Sequence, residues 1–119
     1  MTREPKGVVT ELMEGALREL SDGEFQRRVW LGRGVSEMSS MSEATETLFS
    51  DSGLGQALEK NTVTFSPEID NDLRRLRLCL RACLRAEAER GTDSAIASAD
   101  WQGVRDMASS LLAVLGQKH

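Results

Sequence analysis

Two apolar stripes in the C-terminal half of the chain repeat with the spacing of α-helices. Successive members are 4, 3, 4 and 3 residues apart in the first stripe, and 3, 4, 3 and 4 apart in the second. Apolar residues at this spacing share one helical face, which must pack against another surface. A Gly-containing loop over 91–98 separates the stripes, which predicts a long antiparallel helical hairpin. The stripes are Ile69, Leu73, Leu76, Leu80 and Cys83, then Trp101, Val104, Ala108, Leu111 and Leu115.

Residues typical of helix ends mark the boundaries of this hairpin. Ser66 is followed by a proline, a common first helical residue, so we predict a helix over 67–90 that Gly91 closes. Ser98 and Asp100 are two alternative N-caps for the final helix. Each half of the hairpin therefore has a start signal next to its apolar stripe.

The N-terminal half predicts shorter helices. Apolar spacing predicts a first helix over 6–20. Ser21 and Glu24 have the S-x-x-E pattern of a capping box, which predicts a second helix over 21–31.

A second S-x-x-E pattern, Ser40 and Glu43, predicts a third helix over 41–50. A short helix over 54–60 follows. The strand-like residues 62–65 have no partner strand in the sequence and are interpreted as a connector.

The length and composition favour a single helical domain over residues 1–119. A chain of 119 residues buries enough surface for one hydrophobic core. Aromatic residues make up only 4% and tyrosine is missing, so Leu, Val, Met and Ala must form most of the core, which suits helices. The predicted fold is all-α: a small bundle of four main helices plus one short helix, with the long C-terminal hairpin.

The charge distribution argues against nucleic acid and membranes as partners. The net charge is −4, and residues 1–66 carry 7 basic and 11 acidic groups, which accounts for all of it. A mildly acidic protein is a poor general ligand for nucleic acid or anionic lipid. No N-terminal apolar run resembles a secretory signal, and no segment approaches the ~20 apolar residues that span a bilayer. We therefore expect a protein of a bacterial-type cytoplasm.

A basic face on the helix over 67–90 is the main candidate for a binding site. Four arginines fall within about 80° of one another at 100° per residue. Leu78 lies beside them, where it either contacts the short helices of the N-terminal half or anchors a partner. Guanidinium groups bind carboxylates and phosphates with two hydrogen bonds. The face either binds a protein or nucleic acid, or is solvated or paired with the chain's own carboxylates, for which Glu11, Glu14 and Glu19 are candidates. The predicted partner-binding residues are Arg74, Arg77, Leu78, Arg81 and Arg85.

The two cysteines give little support for a metal or redox site. Cys79 and Cys83 lie one helical turn apart beside the apolar stripe. A metal site needs further ligands, and the one histidine is His119 at the C-terminus. We interpret both as reduced core cysteines, and we predict no catalytic residue, metal or cofactor.

These observations favour a non-enzymatic interaction protein of the adaptor, immunity or regulatory type, which acts by binding a protein. A homodimer through the C-terminal hairpin is also expected, because Leu78, Ala82 and Ala86 give the long helix a second apolar flank. The alternative is a metal-dependent hydrolase resembling nucleotide pyrophosphatases, in which facing E-x-x-E helices bind Mg²⁺ or Mn²⁺. That pattern occurs twice, at Glu11 and Glu14 and at Glu43 and Glu46.

Overall fold

The computed structural model describes residues 7–31, 40–60 and 64–116, and these ranges are all-α without a β-strand. Two π-helical turns follow directly from short helices: Gln26–Trp30 continues α2, and Thr47–Asp51 continues α3. The helices are α1 (Thr10–Ser21), α2 (Gly23–Phe25), α3 (Met41–Glu46), α4 (Leu54–Glu59), α5 (Pro67–Arg90), α6 (Thr92–Ile96) and α7 (Ala99–Gly116).

Three serines begin helices as the sequence predicts. The Oγ of Ser66 accepts a hydrogen bond from the Ile69 amide at 3.1 Å, and the Oγ of Ser40 accepts one from the Glu43 amide at 3.0 Å. Before α7, Ser98 rather than Asp100 is the cap, because its Oγ accepts from the backbone amide three residues later at 3.1 Å. Each hydroxyl satisfies an amide that has no partner inside its helix.

The predicted boundary at Ser21 is wrong by one residue. Ser21 is the last residue of α1, and its hydroxyl donates to the Arg18 carbonyl at 3.0 Å. Asp22 has an extended backbone and accepts from the Phe25 amide at 3.1 Å, so it caps α2 instead. Asp and Ser are comparably good N-caps.

Other predicted bounds also change. The predicted loop over 91–98 contains the short helix α6, and the regular part of the third helix ends at Glu46, where the π-helical turn begins. The first helix begins at Thr10, not at residue 6, which lies outside the described residues together with 61–63 and His119.

The buried apolar side chains of the described helices form one connected cluster. Both C-terminal stripes are buried over their whole length, as predicted. The long helix α7 packs against α5 on one side and against α1 on another, while α1 also contacts α3 and the π-helical turn after it. The last helix therefore lies between the first helix and the longest one.

A buried glutamine forms hydrogen bonds with both α1 and α7. The side-chain amide of Gln26 donates to the carbonyls of Glu19 and Leu20 at 2.8 and 2.9 Å, where α1 ends. Its Oε1 accepts from the indole nitrogen of Trp101 at 2.7 Å. Trp30 packs edge-on against Trp101 with ring centroids 5.6 Å apart. Since a buried polar group must be hydrogen-bonded, this network fixes the side chains of Gln26 and Trp101.

The turn between α3 and α4 holds the segment before α1. The amide of Val9 donates to the Ser52 carbonyl at 2.8 Å. Gly53 has a φ of +84°, and a Cβ there would overlap the carbonyl oxygen of Gly7. Glycine at residue 53 therefore permits both the left-handed turn and the close approach of the N-terminal segment.

Candidate functional site

Of the four arginines that the sequence singles out on α5, two lie on its solvent-exposed face, Arg81 and Arg85, and two are half-buried, Arg74 and Arg77. This helix has 24 residues and a length of about 36 Å, and its apolar stripe is turned toward the core. Leu78 lies on the opposite side and is 63% exposed. An intramolecular contact that covers Leu78, one of the interpretations of its position, is not what the structure shows.

Arg74 and Arg77 make contacts with other parts of the chain. The Arg74 Nη2 donates to the Leu58 carbonyl at 3.1 Å, which is near the end of α4. The Arg77 Nη1 lies 3.2 Å from the Glu59 Oε2, and its guanidinium lies 5.3 Å from the centre of the Phe49 ring. These contacts attach α4 and the turn before it to α5.

The intramolecular carboxylate on this face therefore comes from α4. The sequence offered the acidic residues of α1 for this role, but Glu14 instead pairs with Arg18 at 3.7 Å within its own helix. The N-terminal and C-terminal halves of the chain do form an ion pair through an arginine of this helix, as expected if the basic face pairs with the chain's own carboxylates. The acidic residue is Glu59, which no helical pattern of the sequence points out.

Arg81 and Arg85 are exposed, and neither forms an ion pair or hydrogen bond within the ranges that the structure describes. Arg75 is exposed as well and makes one long contact of 3.8 Å with Asp72, a pair too solvated to restrain it strongly. Basic residues thus lie on both sides of Leu78 along the helix. We call the exposed set Arg75, Leu78, Arg81, Ala82 and Arg85 the Leu78 face.

A concave surface, separate from the Leu78 face, lies between α1 and α3. It has a volume of about 280 Å³, a floor of small residues and a rim of carboxylates. The exposed Leu12 contributes an apolar edge, and a Cβ added to Gly15 would meet no atom within 4 Å. We call this surface the α1–α3 groove; it is lined by Glu11, Leu12, Gly15, Ala16, Glu19, Glu43, Ala44 and Thr47.

This groove is also where the metal-dependent alternative would have to be built. Glu11 and Glu43, one from each E-x-x-E pattern, both line it. Within residues 7–31, 40–60 and 64–116, no group of three or more His, Cys, Asp or Glu side chains is placed to hold a metal ion. Glu19 also lines the groove, but its carboxylate and those of Glu11 and Glu43 do not converge as the oxygen ligands of a cation must.

The cysteines are free thiols beside the core. Cys83 is buried and Cys79 is half-buried. Burial, together with the nearby charges of Asp100 and of Cys79, raises the pKa of the Cys83 thiol from 9.0 to about 11. A thiol with a raised pKa is a weak nucleophile and a weak metal ligand at neutral pH.

The raised pKa of Cys83 predicts a loss of stability in alkali. The unfolded thiol ionises near pH 9 and the folded one near pH 11, so the stabilisation is complete below pH 9 and is lost as the pH rises to 11. We expect the free energy of unfolding to fall by about 2–3 kcal/mol over this range from this group. Urea unfolding at a series of pH values measures it. Cys83→Ala, less stable throughout, should show a shallower fall; parallel curves would contradict the assignment.

Sequence reasoning misses part of both surfaces. Arg75 lies beside the predicted set, but the neighbouring Asp72 obscures it in the sequence. Leu12 and Val9 contribute to the apolar spacing that predicts the first helix, yet they are 39% and 46% exposed. The sequence signal at the groove is Gly15, a residue that is unfavourable inside a helix.

Comparisons with known proteins do not indicate a function for either of these surfaces. The chain matches no family model, and no curated protein or solved structure shows significant similarity to it. Among the described helices, none combines the length and the apolar character needed to cross a lipid bilayer.

Proposed function

We propose that this chain is a non-enzymatic interaction protein, of the adaptor, immunity or regulatory type, which binds a protein partner through the Leu78 face. The observation that carries the proposal is the exposure of Leu78 between arginines that make no strong contact with the described part of the chain. Exposed leucines are common singly, but one flanked by exposed guanidinium groups has the composition of an interface centre.

The structure divides the predicted binding residues into two groups. Arg74 and Arg77 hold α4 against α5, so we assign them to positioning the face rather than to contact with a partner. Leu78, Arg81 and Arg85 are the residues that remain available. Aliphatic and arginine side chains together favour a partner segment that offers an apolar pocket and carboxylates around it.

The helical arrangement and the cellular location are also part of this proposal. We take α5 and α7 as an antiparallel hairpin that supports the face, since the groove between them is lined by Ile69 from the start of α5 and Val114 from the end of α7. The bundle then has four main helices with shorter helical segments around them. The cytoplasm remains our proposed location, and nucleic acid and membranes remain outside the proposed partners.

The alternative partner of the Leu78 face is the same face of a second copy, in a homodimer through the hairpin. A two-fold axis at Leu78 would place Arg75 beside the partner's Arg81, and such like charges oppose each other. We therefore favour an acidic surface, rather than the same face of a second copy, as the binding partner of the Leu78 face.

A photo-crosslinking amino acid at residue 78 tests the proposal. We expect a covalent adduct with a specific protein in cells, which is identified by mass spectrometry and then purified for calorimetry. The same amino acid at the exposed Ser109 of α7 is the matched control and should not give this adduct.

Binding to the purified partner should then depend on the Leu78 face. Arg81→Glu combined with Arg85→Glu is expected to weaken it at least about tenfold, which corresponds to a loss of about 1.4 kcal/mol. Unchanged affinity in this variant, or equal capture from residues 78 and 109, would contradict the proposal.

A further inference from the structure

We infer that copies of this chain associate head to tail, with the Leu78 face of one copy in the α1–α3 groove of the next. The inference rests on the proposed function for its choice of docking face, and it names a second copy as an acidic ligand of that face. It differs from the two-fold homodimer because two different surfaces meet. Such a contact repeats from copy to copy unless a ring closes.

The two surfaces have complementary shapes. Leu78 projects from α5 with 63% of its surface exposed. The groove is a depression of about 280 Å³ between two helices, and Gly15 and Ala16 keep its α1 side low. Leu12 lies at the edge, so an entering leucine would bury its own surface and cover an exposed apolar side chain.

The charges are arranged to match around that contact. On α5, Arg75 and Arg81 lie three residues before and after Leu78, about 9 Å apart along the helix. On α1, Glu11 and Glu19 lie four residues before and after Gly15, about 12 Å apart. The uncharged Leu78 is thus flanked by arginines on α5, and the uncharged Gly15 is flanked by carboxylates on α1, where the one intervening arginine is paired with a glutamate of the same helix.

Further charges outside these pairs have the same signs. Glu43 adds a carboxylate from the α3 side of the groove, and Arg85 adds a guanidinium one turn beyond Arg81. The long arginine side chains can span the difference of about 3 Å between the two spacings. Opposite charges on two surfaces orient an encounter and raise the rate of association.

Charge reversal tests this contact directly. The face variant is Arg81→Glu with Arg85→Glu, and the groove variant is Glu11→Lys with Glu43→Lys. Sedimentation or light scattering between about 1 μM and 1 mM covers the range of weak dissociation constants. At low salt we expect the average mass of the wild type to rise at least about twofold, which is the change from one copy to two. Each variant alone should stay monomeric.

Mixing the two variants distinguishes a specific contact from general electrostatics. The acidic face of the first variant fits the basic groove of the second, and their unchanged surfaces also fit each other, so the mixture should regain the wild-type mass. A control with Arg27→Glu and Arg90→Glu, exposed residues outside both surfaces, has the same net charge as the face variant and should associate like the wild type. Circular dichroism verifies that all three remain helical.

Crosslinking the purified chain from residue 78 locates the contact. We expect adducts with residues 11–19 or 43–47 of a second copy. A wild type that stays monomeric, a mixture that stays monomeric, or adducts within α5 or α7 would each overturn the head-to-tail contact. The crosslinked adduct with a different protein in cells does not require self-association. A failure of the head-to-tail contact would therefore not contradict the proposed function, which the crosslinking in cells tests separately.

Discussion

Replacing Trp101 with alanine is expected to lower the free energy of unfolding by about 3–5 kcal/mol, the usual cost of truncating a buried aromatic residue. The indole is fully buried between α7 and the π-helical turn that follows α2. Its loss leaves a cavity beside Trp30 and removes the donor to the Oε1 of Gln26. Urea unfolding followed by far-ultraviolet circular dichroism measures the change.

Trp101→Phe separates the hydrogen bond from the packing. Phenylalanine retains an aromatic ring against Trp30 but has no N–H, so the Oε1 of Gln26 becomes a buried acceptor without a donor. We expect a loss of about 1–3 kcal/mol, the cost of leaving such a group unsatisfied. Equal losses in the alanine and phenylalanine variants would show that packing contributes little. A loss below about 1 kcal/mol for alanine would contradict the buried position.

Leu80→Ala is expected to destabilise the chain by about 2–5 kcal/mol. Leu80 lies near the middle of the apolar stripe of α5 and has no exposed surface. Its side chain fills the space between α5 and its neighbours, and truncation removes both the buried area and the contacts around it. Chemical unfolding of the purified variant gives the change in free energy.

Leu78→Ala is the matched control for this prediction. The same substitution two residues away removes a side chain that is 63% exposed, from the same helix. Alanine is at least as favourable as leucine inside a helix, so the stability should change by no more than about 0.5 kcal/mol. The pair compares burial alone, and similar losses at both residues would mean that the stripe is not the core.

The helical segments were predictable where a periodic pattern and a cap coincide. Every member of the two C-terminal stripes is buried, and Ser66 and Ser40 cap helices as expected. Regular spacing reports which face of a helix is apolar, and a cap reports where its backbone amides lack partners. Both signals are local, so one sequence is sufficient to show them.

The packing of distant helices was not predictable in the same way. Nothing in the spacing of α1 indicates that it packs against α7, and Gln26 looks like an ordinary surface residue until Trp101 is placed beside it. The uses of Arg74 and Arg77 also depend on where α4 lies. These contacts join residues that are far apart in the chain, so they depend on the tertiary arrangement rather than on local preference.

The contact between the first and last helices has a consequence for how the chain is made. During synthesis α1 leaves the ribosome before α7, which supplies one of its packing surfaces. The apolar side of α1 that faces this helix therefore stays uncovered until α7 has been made. Domains with such end-to-end contacts fold late and expose apolar surface while they wait. We expect the nascent chain to become protease-resistant only after residue 116 has emerged from the exit tunnel.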